Sequence, residues 1–287
     1  MNKKTRKYLF LFLRLALSAV AIMIVLRKID LHQVGEYFSS ADYRWLFLAF
    51  MVFFFSKAVS AVRLNSFYRQ HNLILTQKKN LFLYLLGMFY NLFVPIIGGD
   101  GYKVYWLNKN YGAQVKSLIW SSLHDRGSGL VALTFLAAVL APFISWESDL
   151  KYYVPLLIPV MYVAYYFFVR IFFREYLSVF SRINFLSLIV QSTQLLCSYL
   201  ILLALGVDAS MTDYLFIFLL SCYAYIIPVI GAREMAFIFG AEALGLDKEL
   251  SVSISLFFYF ALAFTSLTGM FFLLFPSFLK VKTESIN

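Results

Sequence analysis

The stretch LFLYLLGMFYNLFVPIIGGDGYK, residues 81–103, decides the fold. Residues 81–97 carry no charge and are apolar enough to enter a bilayer. They are interrupted by Pro95 and then by Gly98-Gly99-Asp100-Gly101. Proline removes a backbone donor and breaks a helix, and glycine permits a tight turn. Backbone groups freed in this way cannot face lipid, so they must lie inside protein or line a watery cavity. The following residues, 102–123, include Lys103, Lys109, Lys116 and several amides, too polar to cross lipid unaided. The segment therefore reads as a re-entrant hairpin that dips into the membrane and turns back.

A second stretch has the same grammar. Residues 214–230 are apolar and aromatic, and Pro228 and Gly231 lead into Arg233-Glu234. About a dozen mostly apolar residues then follow, too few for the roughly 20 that a spanning helix needs.

Around these two segments lie six apolar runs of spanning or near-spanning length: 8–26, 44–62, 128–145, 152–173, 185–205 and 256–274. The chain is 62% hydrophobic and only 14% charged, against about 25% charged in soluble domains. No large aqueous domain fits. The positive-inside rule places the basic N-terminus (Lys3, Lys4, Arg6, Lys7), the loop 63–79 and the tail with Lys280 and Lys282 in the cytoplasm. The loops 27–43, 146–151 and 207–213 read as external. These assignments agree only if 80–126 starts and ends inside and 214–249 starts and ends outside. The expected fold is therefore all-α and integral to the membrane, with six spans and two re-entrant helical hairpins. It forms a single membrane domain of inverted repeats, 1–146 and 151–280, an arrangement found in many secondary transporters. The competing arrangement is eight plain spans with the polar helices packed inside the bundle.

The net charge of +10 resides mostly in short loops, where it sets topology and attracts anionic headgroups; nucleic acid is not an expected partner. Cys197 and Cys222 fall in apolar segments, so a disulfide is not expected. His32, His71 and His124 are scattered, so neither a metal nor a cofactor is expected. The N-terminal apolar run, interrupted by Arg14 and lacking a small-residue cleavage site, reads as a retained helix.

Each hairpin tip pairs an acid with a base: Asp100 with Lys103, and Glu234 with Arg233. A half-helix starting after Gly99 or Gly231 would aim its backbone N–H groups into the cavity and favour an anion. The acids suit a first helical turn as caps. The bases do not, unless they bind the neighbouring acid or an anionic ligand. Lys57 lies inside the second run, where it either joins the site or snorkels to the interface, and Ser56, Ser60 and Arg63 share one face of that helix. Asp125-Arg126 closes the first hairpin as an interfacial pair or as part of the site. Gln191, Gln194 and Ser198 share a face suited to interhelical hydrogen bonds.

Taken together, Pro95, Gly98, Gly99, Asp100 and Lys103, then Asp125, Arg126 and Gly129, then Pro228, Gly231, Arg233 and Glu234 resemble the membrane region of the lysylphosphatidylglycerol synthase/flippase family. Arg63 matches a basic residue that the family tends to carry after its second helix. The likeness extends over nearly the whole chain. Lys103 departs from it, standing where the family prefers arginine, and so does the second tip, which has one glycine in place of a glycine-rich run. The resemblance implies a stand-alone, flippase-like member without the soluble aminoacyl-transferring domain.

The expected function is translocation or binding of an anionic lipid (phospholipid or polyprenyl phosphate) in the inner, cytoplasmic membrane, with both termini in the cytoplasm. Lys103, Arg233, Arg63 and Lys57 would hold the headgroup at the hairpin tips. Asp100, Glu234, Asp125 and Arg126 would balance charge or couple movement to protons, and Pro95, Gly98, Gly99, Pro228 and Gly231 would shape the backbone. Membrane lipids are the expected partners, along with glycan- or lipid-biosynthesis enzymes. Two other readings are an accessory protein of envelope glycan synthesis and a membrane-embedded transferase. The second lacks paired metal-binding acids or a recognisable nucleophile in the sequence.

Overall fold

The computed structural model describes residue 23 and residues 26–93, 97–226 and 231–279. Pro95, Pro228 and most of the expected first span, 8–26, lie outside the described residues.

Eleven α-helices follow one another among the described residues: α1 (Leu31–Ser40), α2 (Tyr43–Arg69), α3 (Gln77–Phe93), α4 (Ile97–Tyr111), α5 (Val115–Leu140), α6 (Leu157–Phe172), α7 (Phe180–Ala204), α8 (Met211–Ser221), α9 (Ala232–Leu244), α10 (Lys248–Leu267) and α11 (Met270–Leu274). With their short helical extensions, five stretches among the described residues are long and apolar enough to cross a membrane: Tyr43–Arg69, Val115–Phe143, Asp149–Phe172, Arg174–Ala204 and Lys248–Leu274. The protein is an all-α membrane protein.

The chain divides into two compact units. The first comprises Met1–Ala49, Leu136–Pro155 and Leu195–Phe260; the second comprises Phe50–Phe135, Leu156–Gln194 and Ala261–Asn287.

In the second unit, α3 and α4 form an antiparallel hairpin. Lys79 near the start of α3 meets the Tyr111 hydroxyl at the end of α4. Nearer the tip, Tyr90 stacks on Tyr102 at 4.4 Å and the Asn91 carboxamide accepts from Gly99 N–H at 2.8 Å. With 17 and 15 residues, the two arms are about 25 and 22 Å long, short of the roughly 30 Å hydrocarbon core. Leu83, Leu86 and Leu107 are fully buried in the core that this hairpin builds with Leu64 and Tyr68 of α2 and with Phe272. Gly99 enables the close approach: a Cβ there would lie 2.1 Å from the Gly87 carbonyl oxygen.

Three expectations are corrected here. The return arm begins at Ile97, so Gly98 and Gly99 lie inside its first turn and not before it. The hairpin ends at Tyr111, where Gly112 adopts φ +64°, and not at residue 126. Beyond that turn, α5 runs unbroken from Val115 through Asp125 and Arg126 to Leu140. Its polar residues are tolerated because Ser121, Ser122, Asp125 and Ser128 are buried inside the protein and so do not meet lipid. Likewise Arg63 is not in a loop: α2 continues to Arg69, and Arg63 is 5% exposed.

In the first unit, α8 and α9 form the second hairpin. Ile217 side-chain carbons sit where a Gly240 Cβ would be, at 2.9–3.3 Å. Gly231 takes a left-handed φ of 89° immediately before α9, as its place ahead of the half-helix requires. The amphipathic α1 packs by Phe38, stacked on Phe257 at 4.1 Å. Asp213, 2% exposed, accepts from the Ser145 backbone N–H and hydroxyl at 2.7 and 2.8 Å.

Candidate functional site

Helical spacing assembles the site in the second unit. On α3, Tyr84, Gly87, Met88 and Asn91 follow i, i+3, i+4, i+7 and so share one face. Asp100 and Lys103 stand one turn apart on α4, and Ser122, Asp125 and Arg126 share a face of α5. With Leu64 of α2 these residues enclose a cavity of about 100 Å³, room for several waters.

The charges around this cavity interlock. The Lys103 ammonium lies 2.7 Å from one Asp100 oxygen and 5.0 Å from the centre of the Tyr84 ring. The Arg126 guanidinium donates to the other Asp100 oxygen, so a single carboxylate carries two cations. Behind them Arg63 donates through Nε to Asp125 at 2.7 Å and through Nη1 to the Ser187 hydroxyl at 3.0 Å. Ser187 donates to Ser128, whose hydroxyl also hydrogen-bonds the Asp125 carbonyl. Gln191 donates to the Gly129 carbonyl at 3.1 Å, the interhelical bond expected of that face.

Side-chain exposure falls from 41% at Arg126 to 23% at Asp100, 9% at Lys103 and 6% at Arg63. Arg126 is therefore the mouth and Arg63 the deepest member. Among the described residues three cations stand against two carboxylates here. Buried ion pairs add little stability over well-packed apolar residues, so a cluster of this size is a candidate site.

Sequence reasoning singled out Arg63, Asp100, Lys103, Asp125 and Arg126; the last four line the cavity, and Arg63 pairs with Asp125 behind it. It missed Tyr84, Asn91, Ser122 and Ser187. The spacing on α3 was available as a signal, with Asn91 its one strongly polar member. Lys57, two turns before Arg63, is placed over the Phe53 ring at 4.5 Å and does not line the cavity.

Arg233 and Glu234 belong to the first unit. Arg233 is buried, its guanidinium carbon 4.3 Å from the Phe258 ring centre and 5.5 Å from those of Phe218 and Phe237. Glu234 accepts from the Ser255 hydroxyl at 3.1 Å.

The family described as "Lysylphosphatidylglycerol synthase TM region" matches residues 11–269. The chain belongs to this family. No curated protein and no solved structure matches it. The match to the lysylphosphatidylglycerol synthase membrane region spans both hairpins and the charged residues around the cavity.

Proposed function

We propose that the protein is a flippase-like lipid translocase that takes an anionic headgroup, phospholipid or polyprenyl phosphate, into the cavity of its second unit. The observation that carries this reading is Asp100 shared between Lys103 and Arg126 at the cavity mouth. A phosphate entering there takes over Arg126, the more exposed of the two cations, and leaves Asp100 paired with Lys103. The deeper Arg63–Asp125 pair holds α2 against α5 meanwhile. Family membership supports the same direction, since this membrane region is the flippase-like part of the family and not its catalytic domain. Arg233, in its ring of phenylalanines, is proposed as a second contact for the same headgroup class. The loop charges support the further proposal of a cytoplasmic-membrane location with both termini inside.

The test is lipid scrambling in proteoliposomes carrying labelled anionic lipids. Wild type moves the label, Arg126→Gln slows it tenfold or more, and Arg233→Gln slows it as well. Wild type that moves no anionic lipid, or Arg126→Gln at the wild-type rate, overturns the reading.

A further inference from the structure

Beyond the Arg63–Asp125 pair, the contact between α2 and α5 continues through groups that the cavity does not use. Arg63 and Phe67 share a face of α2, and His71 sits in the turn that prolongs it, its N–H donating to the Tyr68 carbonyl at 3.0 Å. Ser121, Asp125 and Ser128 share a face of α5, with His124 beside them. The two faces meet in successive rungs. Arg63 binds Asp125 at 2.7 Å, and the Phe67 and His124 rings stack at 6.2 Å. His71 reaches α5 through Tyr176, whose hydroxyl lies 2.8 Å from His71 Nε2 and 3.5 Å from the Ser121 hydroxyl. Tyr176 comes from the short segment Arg174–Val179 and is 2% exposed.

This last rung has two polarities. A neutral imidazole offers one ring nitrogen as an acceptor, whereas a protonated one donates from both. With His71 neutral and Nε2 bare, the Tyr176 O–H donates to it and the Ser121 O–H donates to Tyr176. A proton on His71 makes Nε2 a donor, so Tyr176 must accept from it and turn its own hydrogen toward Ser121. The positive charge is then set against the apolar core of Phe67, Val169, Phe180 and Ile183. Burial pushes His71 below the usual histidine value, with Glu175 opposing, so the neutral form prevails near pH 7 and acid supplies the proton. Few other titratable groups face the joint: Glu175 acts on both histidines, and Tyr165 of α6 packs on the same core but acts on Arg63. His124 gives an independent sign of a second arrangement. It is 9% exposed, with Phe173 and Tyr176 rings at 4.0 and 4.7 Å, and its Nε2 has no hydrogen-bond partner among the described residues. Buried polar atoms are normally paired.

We infer that His71, Tyr176 and Ser121 form a proton-binding joint that holds α5 against α2 when His71 is neutral and loosens when His71 takes a proton. The joint adds regulation by acid to the proposed function and does not depend on which ligand the cavity takes.

Hydrogen–deuterium exchange of the purified protein in nanodiscs at pH 5.5 and 7.5, corrected for the intrinsic effect of pH on exchange, tests this without any transport assay. Peptides covering residues 67–73 and 118–125 exchange about five- to tenfold faster at the lower pH, the size of one hydrogen bond, while peptides from α8 and α9 keep one rate. His71→Gln keeps an acceptor for Tyr176 and cannot titrate, so it holds the slow rate at both pH values. Tyr176→Phe keeps the ring contacts without the hydroxyl and exchanges at pH 7.5 as fast as wild type does at pH 5.5. Equal wild-type rates at the two pH values overturn the inference, as does an acid effect spread equally over α8 and α9 or one that survives His71→Gln. Tyr176→Phe as slow as wild type at pH 7.5 overturns it as well.

Discussion

Replacing Gly99 by alanine will force the arms of the first hairpin apart, whereas the same change at Gly101, two residues along, will not. A Cβ at Gly99 would lie 2.1 Å from the Gly87 carbonyl oxygen and 2.8 Å from the Asn91 amide nitrogen. Relaxed carbon–oxygen contacts are about 3.3–3.6 Å, so the helices must separate by about 1 Å. Overpacking of this kind costs about 1–3 kcal/mol, and losing the Gly99–Asn91 hydrogen bond costs about 1 kcal/mol more. The higher helix propensity of alanine returns about 1 kcal/mol, for a net loss of about 1–3 kcal/mol. At Gly101 a Cβ meets nothing within 4 Å, so only the propensity gain of about 1 kcal/mol remains. The assay is thermal denaturation of the purified protein in one detergent. Gly99→Ala will melt below wild type and Gly101→Ala at or above it, separated by at least about 4 °C. Because Asp100 follows Gly99 directly, scrambling will fall with the first substitution and persist with the second. Equal melting shifts for the two would refute the close-approach argument.

Arg63→Gln will strand Asp125 and cost about 3–5 kcal/mol; adding Asp125→Asn will restore most of that melting temperature, as a double-mutant cycle can measure. Gly240→Ala will be milder than Gly99→Ala, since it meets Ile217 side-chain carbons and not backbone, and Ile217→Val will recover part of the loss. Burial pushes the His71 imidazole below the usual histidine value, with Glu175 opposing. The unfolded chain then binds this proton more readily, so stability is full above about pH 6.5 and declines as pH falls below it. His71→Gln, which removes the titrating partner of the Tyr176 hydroxyl, will flatten that part of a melting-temperature profile between pH 5 and 7.5.

Much of this was legible before any coordinates. Pro95 with Gly98-Gly99 marked a reversal because broken backbone cannot face lipid, and α3 and α4 do return on one another. Eight ionised residues in an apolar chain stood out as candidates because burying charge is expensive unless the charges serve one another; five of them gather at or behind the cavity, whereas Lys57, Arg233 and Glu234 do not line it. The extent of α5 was not legible. Polarity along 115–126 suggested a segment outside the spans, since a linear reading counts polar residues without knowing that Ser122, Asp125 and Ser128 face the interior. The same limit applies to Arg63, which read as a loop cation because its partner Asp125 is 62 residues away. Tyr84 and Asn91 were hidden for the opposite reason: an aromatic and an amide in an apolar run look like ordinary packing until Lys103 and Gly99 are set against them.

The central claim is that the cavity of the second unit holds a headgroup phosphate. An experimental structure of the protein in nanodiscs of anionic phospholipid, with a bound antibody fragment to give it size, tests this most directly. The account predicts phosphate density within hydrogen-bond reach of Arg126, with Asp100 turned fully onto Lys103. An empty cavity with Asp100 still shared by both cations, at saturating anionic lipid, would contradict it.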